Sequence, residues 1–253
     1  MRIKNILSID FDYFIHYGSR LSPIFCPDAG IEFQPQLSSV IWGTKYAEAK
    51  ASGLDMSALL SLRIDDLELI KDIVRNQNFA RTMICDSHKH MIDFVNFIYE
   101  QDLRFAVYNV DAHHDAYPIE YEDDIHCGNW MTVLMDDDSI AEGYWISPED
   151  ELHSTALPDN CDPRIKKSLQ LRDLSDKGPF DFVFLCKSTS WVPPHLDTAF
   201  LELANLLIPP KGGWPCRLQR DVLQDRYNEK FCQEVAEFVS REDIQKGTAG
   251  GHG

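Results

Sequence analysis

Asp111, His113 and Asp115, within the run 109–117 (NVDAHHDAY), have the types and spacing of cation ligands. The segment ahead of them, 105–110 (FAVYNV), is short, apolar and β-rich, and reads as a buried strand. In an extended segment alternate side chains share one face, so Asp111, His113 and Asp115 are expected to point together while His114 points away. Open α/β sheets hold their sites at the carboxyl ends of parallel strands, where this polar group falls. A solvated turn with chance polar residues explains an isolated Asp-x-His-x-Asp equally well. The other polar clusters of the chain tip the balance.

Two more strand ends carry residues of the same kind. Segment 3–14 is the first strand candidate, with apolar ILSI followed by Asp10 and Asp12 at period two. These acids either cap the strand end or bind a cation, and acids behind a buried strand are costly unless partnered. Segment 82–85 is a short strand ended by Asp86, Ser87 and His88, with His90 close behind. His88 stands nearer the strand end, whereas His90 falls on a first helical turn that can face solvent, so His88 is the favoured ligand of the two. Carboxylates and imidazoles without thiolate suit Mn²⁺ or another hard to borderline divalent ion. The set Asp10, Asp12, His88, Asp111, His113 and Asp115 is large enough for two such ions. Two ions sharing carboxylates, roughly 3.5 to 4 Å apart, acidify the water between them at neutral pH, which supplies a hydrolase with its nucleophile.

The elements that must position these residues alternate strand and helix, the pattern of a three-layer α-β-α fold with a mainly parallel sheet. Residues 17–55, with Pro23, Pro27 and Pro35, read as a long irregular excursion. Helices are expected over 56–76, 91–99, a short stretch through Leu134, 198–207 and 222–239. Further strands are expected at 144–146 and 180–186 (FDFVFLC in the latter), with residues 148–178 polar and poorly patterned between them. The segment 209–215 (PPKGGWP) reads as a turn, and 247–253 (GTAGGHG from Gly247) as a flexible tail. No repeat, phosphate-binding glycine loop or clean boundary divides the chain, so 1–246 is expected to be one catalytic domain.

Of the 253 residues, 41 are Asp or Glu and 24 are Lys or Arg, a formal charge of -17. That balance argues against a nucleic-acid partner, whose phosphates require basic patches. It is compatible with a cationic substrate or peptide. Seven cysteines, odd in number and without a Cys-x-x-Cys pair, point to a reduced, cytoplasmic setting. Asp10 and Asp12 interrupt what would be the apolar core of a signal peptide, and no run is long enough to span a membrane, so no membrane association is expected.

Asp111-Ala-His113-His114-Asp115 resembles the Asp-Ala-His-x-Asp signature of the arginase and agmatinase (ureohydrolase) superfamily. Ser8-Ile-Asp10-Phe-Asp12 resembles its Ser-x-Asp-x-Asp signature, and Cys85-Asp86-Ser87-His88 loosely echoes its Gly-Gly-Asp-His motif. The resemblance implies an arginase/deacetylase-like fold with Asp111 and Asp10 bridging two ions. It also implies that Asp12 and His113 ligate one ion, and His88 and Asp115 the other. The motif order departs from the family's, because the Ser-x-Asp-x-Asp strand opens the chain instead of following the Asp-Ala-His-x-Asp strand. A permuted connection is tolerable where strands need only be adjacent in space.

SIDFDYF, DSHKH, NVDAHHDAY, HCGNW and STSWVPP together look most like the peptide arginases of ribosomal-peptide natural-product pathways and their relatives. This implies a Mn²⁺-dependent enzyme that hydrolyses arginine residues of a precursor peptide to ornithine, releasing urea. His126 follows the signature as the family's proton-shuttling His does, which makes it, with Asp12, a candidate catalytic group. Asn129 and Trp130 either border the substrate channel or, for Trp130, belong to the core. Ser190, with Ser188, Thr189 and Trp191, either contacts substrate or forms a turn before the prolines. His114 reads as a packing residue, and His16, His153, His195 and His252 as surface residues. Rival readings are an arginase-, agmatinase- or deacetylase-type C–N hydrolase of a small molecule, and a non-catalytic module that keeps the metal.

Overall fold

The structure, a computed structural model, describes residues 2–17, 35–119, 125–149 and 156–207. The site sits on six strands: β1 (Arg2–Asp10), β4 (Arg81–Cys85), β5 (Leu103–Val110), β6 (Ile140–Ile146), β7 (Ile165–Lys166) and β8 (Phe182–Cys186). They form one sheet in the order β4-β8-β1-β5-β6-β7, and every pairing in it is parallel. The apolar first strand therefore lies at the centre, with β8 on one side and β5 on the other.

Period-two side chains bury both faces of the sheet. Leu7, Ile9, Val183 and Leu185 join one core cluster, with Leu67, Ile70 and Val74 of helix α2 (Ile64–Arg75) and Phe200 and Leu203 of α5 (Asp197–Leu207). Ile6, Val107, Phe182 and Phe184 join the other, with Phe94 and Val95 of α3 (Met91–Ile98) and Trp130 and Leu134 of α4 (Trp130–Asp136). Helices thus cover both faces, giving the three-layer α/β architecture expected from the alternation of elements. Among the described residues no helix is long and apolar enough to cross a membrane.

Three local expectations need correction. The first strand ends at Asp10, and Phe11–Phe14 forms a 3-10 turn instead of continuing it. The stretch read as irregular contains helix α1 (Pro35–Ala51), whose Trp42 indole N–H and Ser38 hydroxyl both donate to the Thr189 carbonyl, at 2.8 and 2.9 Å. The single helix expected over 56–76 is interrupted: after one helical turn at Met56–Leu59, β3 (Leu60–Leu62) pairs antiparallel with β2 (Ile15–Tyr17) before α2 begins. Tertiary pairing overrides local helical spacing there. The expected turn at 209–215, helix at 222–239 and tail at 247–253 lie outside the described residues.

Candidate metal centre

Four strand ends converge on one buried pocket. Asp10 closes β1, and its side chain accepts the Asp12 backbone N–H at 3.2 Å, capping the 3-10 turn that brings Asp12 back beside it. Asp12 Oδ2 then lies 3.0 Å from His113 Nδ1. At the end of β4, His88 occupies the first turn before α3 and is stacked on Phe184 of β8, with ring centroids 5.4 Å apart.

Beyond β5, Asp111 Oδ1 accepts the His113 backbone N–H at 2.8 Å, and its Oδ2 accepts from the Asn109 side chain at 3.1 Å. This side-chain turn replaces the extended geometry expected for 111–115. Asp115 adopts φ of +52°, a left-handed conformation uncommon for a non-glycine residue. The three ligand-type side chains do meet, but a turn rather than strand alternation brings them together.

Asp111 stands between two groups. His88 Nδ1 lies 3.0 Å from Asp111 Oδ2, 3.0 Å from Asp115 Oδ2 and 3.2 Å from Asp10 Oδ2. The other carboxylate oxygen of Asp111 lies 3.7 Å from His113 Nδ1. The donor atoms of Asp10, His88 and Asp111 lie within 4.8 Å of one another, as do those of Asp12, Asp111 and His113. His90 stays apart, pairing with Asp93 at 3.0 Å.

The donor chemistry fits a metal ion. Asp10, Asp12, His88, Asp111 and Asp115 are all buried, and even with both imidazoles protonated their carboxylates leave a surplus of negative charge. Desolvating that surplus is costly without a cation. Asp12 Oδ2 and His88 Nδ1 are buried without a hydrogen-bond partner among the described residues, although carboxylate or imidazole atoms crowd both. The other His88 nitrogen, Nε2, lies 2.7 Å from Ser8 Oγ. If it carries the proton and donates to the serine, Nδ1 presents a lone pair to the carboxylates, the arrangement of a metal-bound imidazole.

Protonation equilibria reflect the same crowding. Burial, reinforced by the charges of Asp115 and Asp10, pushes the Asp111 carboxyl up to about 7. Burial and neighbouring Asp12 raise Asp10, against the opposing effect of His88. Burial alone would depress His113, but Asp12 and the other acids outweigh it and raise the imidazole to about 10. The same contest, won by Asp115, Asp10 and Asp111, holds His88 well above its ordinary value.

The pocket beside these residues comprises about 330 Å³ of space, part of it open to solvent. Asp10, His88, His113 and Asp115 line its floor. Tyr117, Cys127 and Gly128 come from the β5 side of β1, and Ser188 and Trp191 from the β8 side. Ser188 Oγ also donates to Asp10 Oδ2.

The remaining expected site residues occupy other positions. Trp130, expected to border the substrate channel or belong to the core, is fully buried and donates its indole N–H to Asp115 Oδ2 at 2.6 Å. It holds a carboxylate rather than lining a channel. Asn129 is likewise enclosed, accepting the His126 backbone N–H at 2.9 Å. Ser190 is fully buried and lies outside the pocket wall, which its neighbours Ser188 and Trp191 form instead. His126 adjoins the pocket, its Nδ1 accepting the Gly128 N–H at 3.1 Å. His114 packs between Tyr117 and Trp145, as expected of a packing residue. His195 is half-buried against Tyr46 and the Leu60 carbonyl instead of lying on the surface.

Tyr117, Cys127 and Gly128 line the pocket without having been expected there. Tyr117 ends the run 109–117, and its aromatic character beside a polar cluster is the signal that points to it. No protein-family model, curated protein or solved structure gives a significant match to this chain.

Proposed function

We propose that the protein is a two-metal, Mn²⁺-dependent hydrolase that converts arginine residues of a peptide to ornithine with release of urea. The observation that carries this reading is Asp111, set between a His88–Asp10–Asp115 group and a His113–Asp12 group, of which Asp10, His88, Asp115 and His113 line a pocket. In this assignment Asp111 and Asp10 are shared, Asp12 and His113 hold one ion, and His88 and Asp115 hold the other. An oxygen- and imidazole-only donor set suits Mn²⁺. When bound, such a pair supplies Lewis acidity and a water nucleophile at neutral pH.

The chain's own residues do the rest. The four carboxylates favour a substrate that arrives as a cation, and the charge quenched when the nucleophile adds to the planar carbon returns on the amine that takes up a proton as the C–N bond breaks. For His126 to pass a proton from Nε2 to the departing amine, its Nδ1 must give up the Gly128 N–H that it accepts and take up a proton, so that the donor is the imidazolium. The acidic composition suits an arginine-bearing partner.

Mass spectrometry of Mn²⁺-loaded protein incubated with arginine-containing peptides and, separately, with free arginine tests the reading. Loss of CH₂N₂ from the peptide, with urea in solution, is expected. Turnover confined to free arginine would reassign the protein to small-molecule hydrolysis, and retained metal without any turnover would make it a binding module.

A further inference from the structure

We propose that Tyr117 and Trp191 form an aromatic slot that selects a flat, cationic side-chain head presented on an extended alkyl stem. This inference rests on the arginine-directed reading and names the residues that determine its specificity. The two rings reach the pocket from loops on opposite sides of the central strand, Tyr117 after β5 and Trp191 after β8. Trp191 sits deep, only 6% exposed, with its ring 5.5 Å from that of His113. Tyr117 stands at the rim, 36% exposed.

Both rings are held in place. The Tyr117 backbone N–H donates to the Gly128 carbonyl at 3.0 Å, and its ring packs on His114 with centroids 4.3 Å apart. A Cβ at Gly128 would come within 3.2 Å of the Tyr117 ring, so the missing side chain there permits the ring's close approach. A substrate side chain that reaches Asp115 and Asp10 through this pocket shares its lining with both rings.

Aromatic faces attract cations, and the attraction grows when the pair is withdrawn from water. A guanidinium is planar and weakly hydrated, so it stacks on such faces more readily than an ammonium. A urea-headed side chain of nearly the same shape can stack on the rings but lacks the charge, and so forgoes the cation–π attraction. The slot should accordingly separate arginine from citrulline in an otherwise identical peptide.

The test uses Mn²⁺-loaded full-length protein and a pair of short peptides that differ only in arginine or citrulline. Binding is measured by calorimetry and turnover by urea release, for the wild type and for Tyr117→Phe, Tyr117→Leu and Trp191→Leu. Tighter binding of the arginine peptide is expected in the wild type. Each leucine variant should raise KM about tenfold, the order expected for loss of one desolvated cation–π contact. Metal content should change little, and Tyr117→Phe, which keeps the ring face, should lose far less affinity for the arginine peptide than Tyr117→Leu. Equal binding of the two peptides by the wild type, or leucine variants with unchanged KM and affinity, would overturn the slot. Tyr117→Leu lies at the rim and keeps the test valid if Trp191→Leu fails to fold. Arginine-selective binding that both leucine variants abolish, without urea release, would sustain the slot while sinking the hydrolase reading.

Discussion

Ser8 Oγ and His88 Nε2 lie 2.7 Å apart in the protein interior, joining the central strand to the imidazole that faces three carboxylates. Because Ser8 precedes Asp10 by two residues on the same strand, one face of β1 carries both a carboxylate of the site and the group that orients His88. An outer hydrogen bond of this kind fixes ring orientation and tautomer, and its loss commonly lowers metal affinity about 10- to 100-fold. Ser8→Ala is therefore expected to weaken Mn²⁺ binding by that order while leaving the far-ultraviolet circular dichroism unchanged. A competition titration against a metallochromic chelator measures it.

Asp111 and Asp12 should differ in what their loss removes. Asp111 faces both imidazoles, whereas Asp12 faces only His113. Asp111→Asn is expected to abolish metal retention and turnover together, and Asp12→Asn to lose one ion and keep the ion beside His88. Metal analysis after gel filtration distinguishes the two variants. Equal metal content in both would show that Asp111 is not shared.

Much of this centre is legible in the sequence, and the legible part has one physical origin. An acid directly behind an apolar strand must be partnered, so Asp10, His88 and Asp111 could be assigned to a common end of the sheet. The apolar alternation of the strands likewise announced the layered fold. Harder to read were features set by contacts between distant segments. Helix α1 lacks a clean apolar stripe, and it is anchored by Ser38 and Trp42 reaching the Thr189 carbonyl. The strand Leu60–Leu62 exists because Ile15–Tyr17 offers it a partner. For Trp130 the sequence leaves channel and core both open, because it cannot show that the indole N–H meets Asp115. Ser190 and Trp191 differ by a single position, and the left-handed Ser188 just upstream, at φ of +49°, helps decide which of them faces the pocket.

Metal-free protein should lose stability as pH rises. His113, ordinarily near 6.5, is raised to about 10 in the fold, so its contribution is fully present below 6.5 and is lost as pH climbs through about 10. Asp111, raised from 3.8 to about 7, has the same sign: the folded state holds its proton more tightly, and stability falls as pH rises from 3.8 through about 7. Metal ions compete for these sites with protons, so binding strengthens as the protons leave. The rise in Tm produced by Mn²⁺ over a chelator-treated control should accordingly grow from about pH 6 to about pH 8. A rise that shrinks over this interval would contradict the assignment.

Lys187 supplies a prediction away from the metal ligands. It follows β8 directly, is almost fully buried, and its ammonium lies 2.6 Å from Asp197 Oδ1 at the start of α5. Burial pushes the Asp197 carboxyl up to about 6 despite the opposing pull of Lys187. Removing one member of a buried pair strands the other charge, commonly at a cost of about 3–5 kcal/mol. Lys187→Met should destabilise the protein by that order in alkaline solution, and because Lys187 holds the Asp197 carboxyl down, the variant's crossover lies above the wild-type value of about 6. Below that pH Asp197 can take up a proton, so the loss should shrink. A Lys187→Met, Asp197→Leu double variant should recover most of the stability by removing both charges together. Urea denaturation of the three proteins on either side of that pH measures these differences, and a Lys187→Met penalty as large in acid as in base would show that packing, not charge, accounts for it.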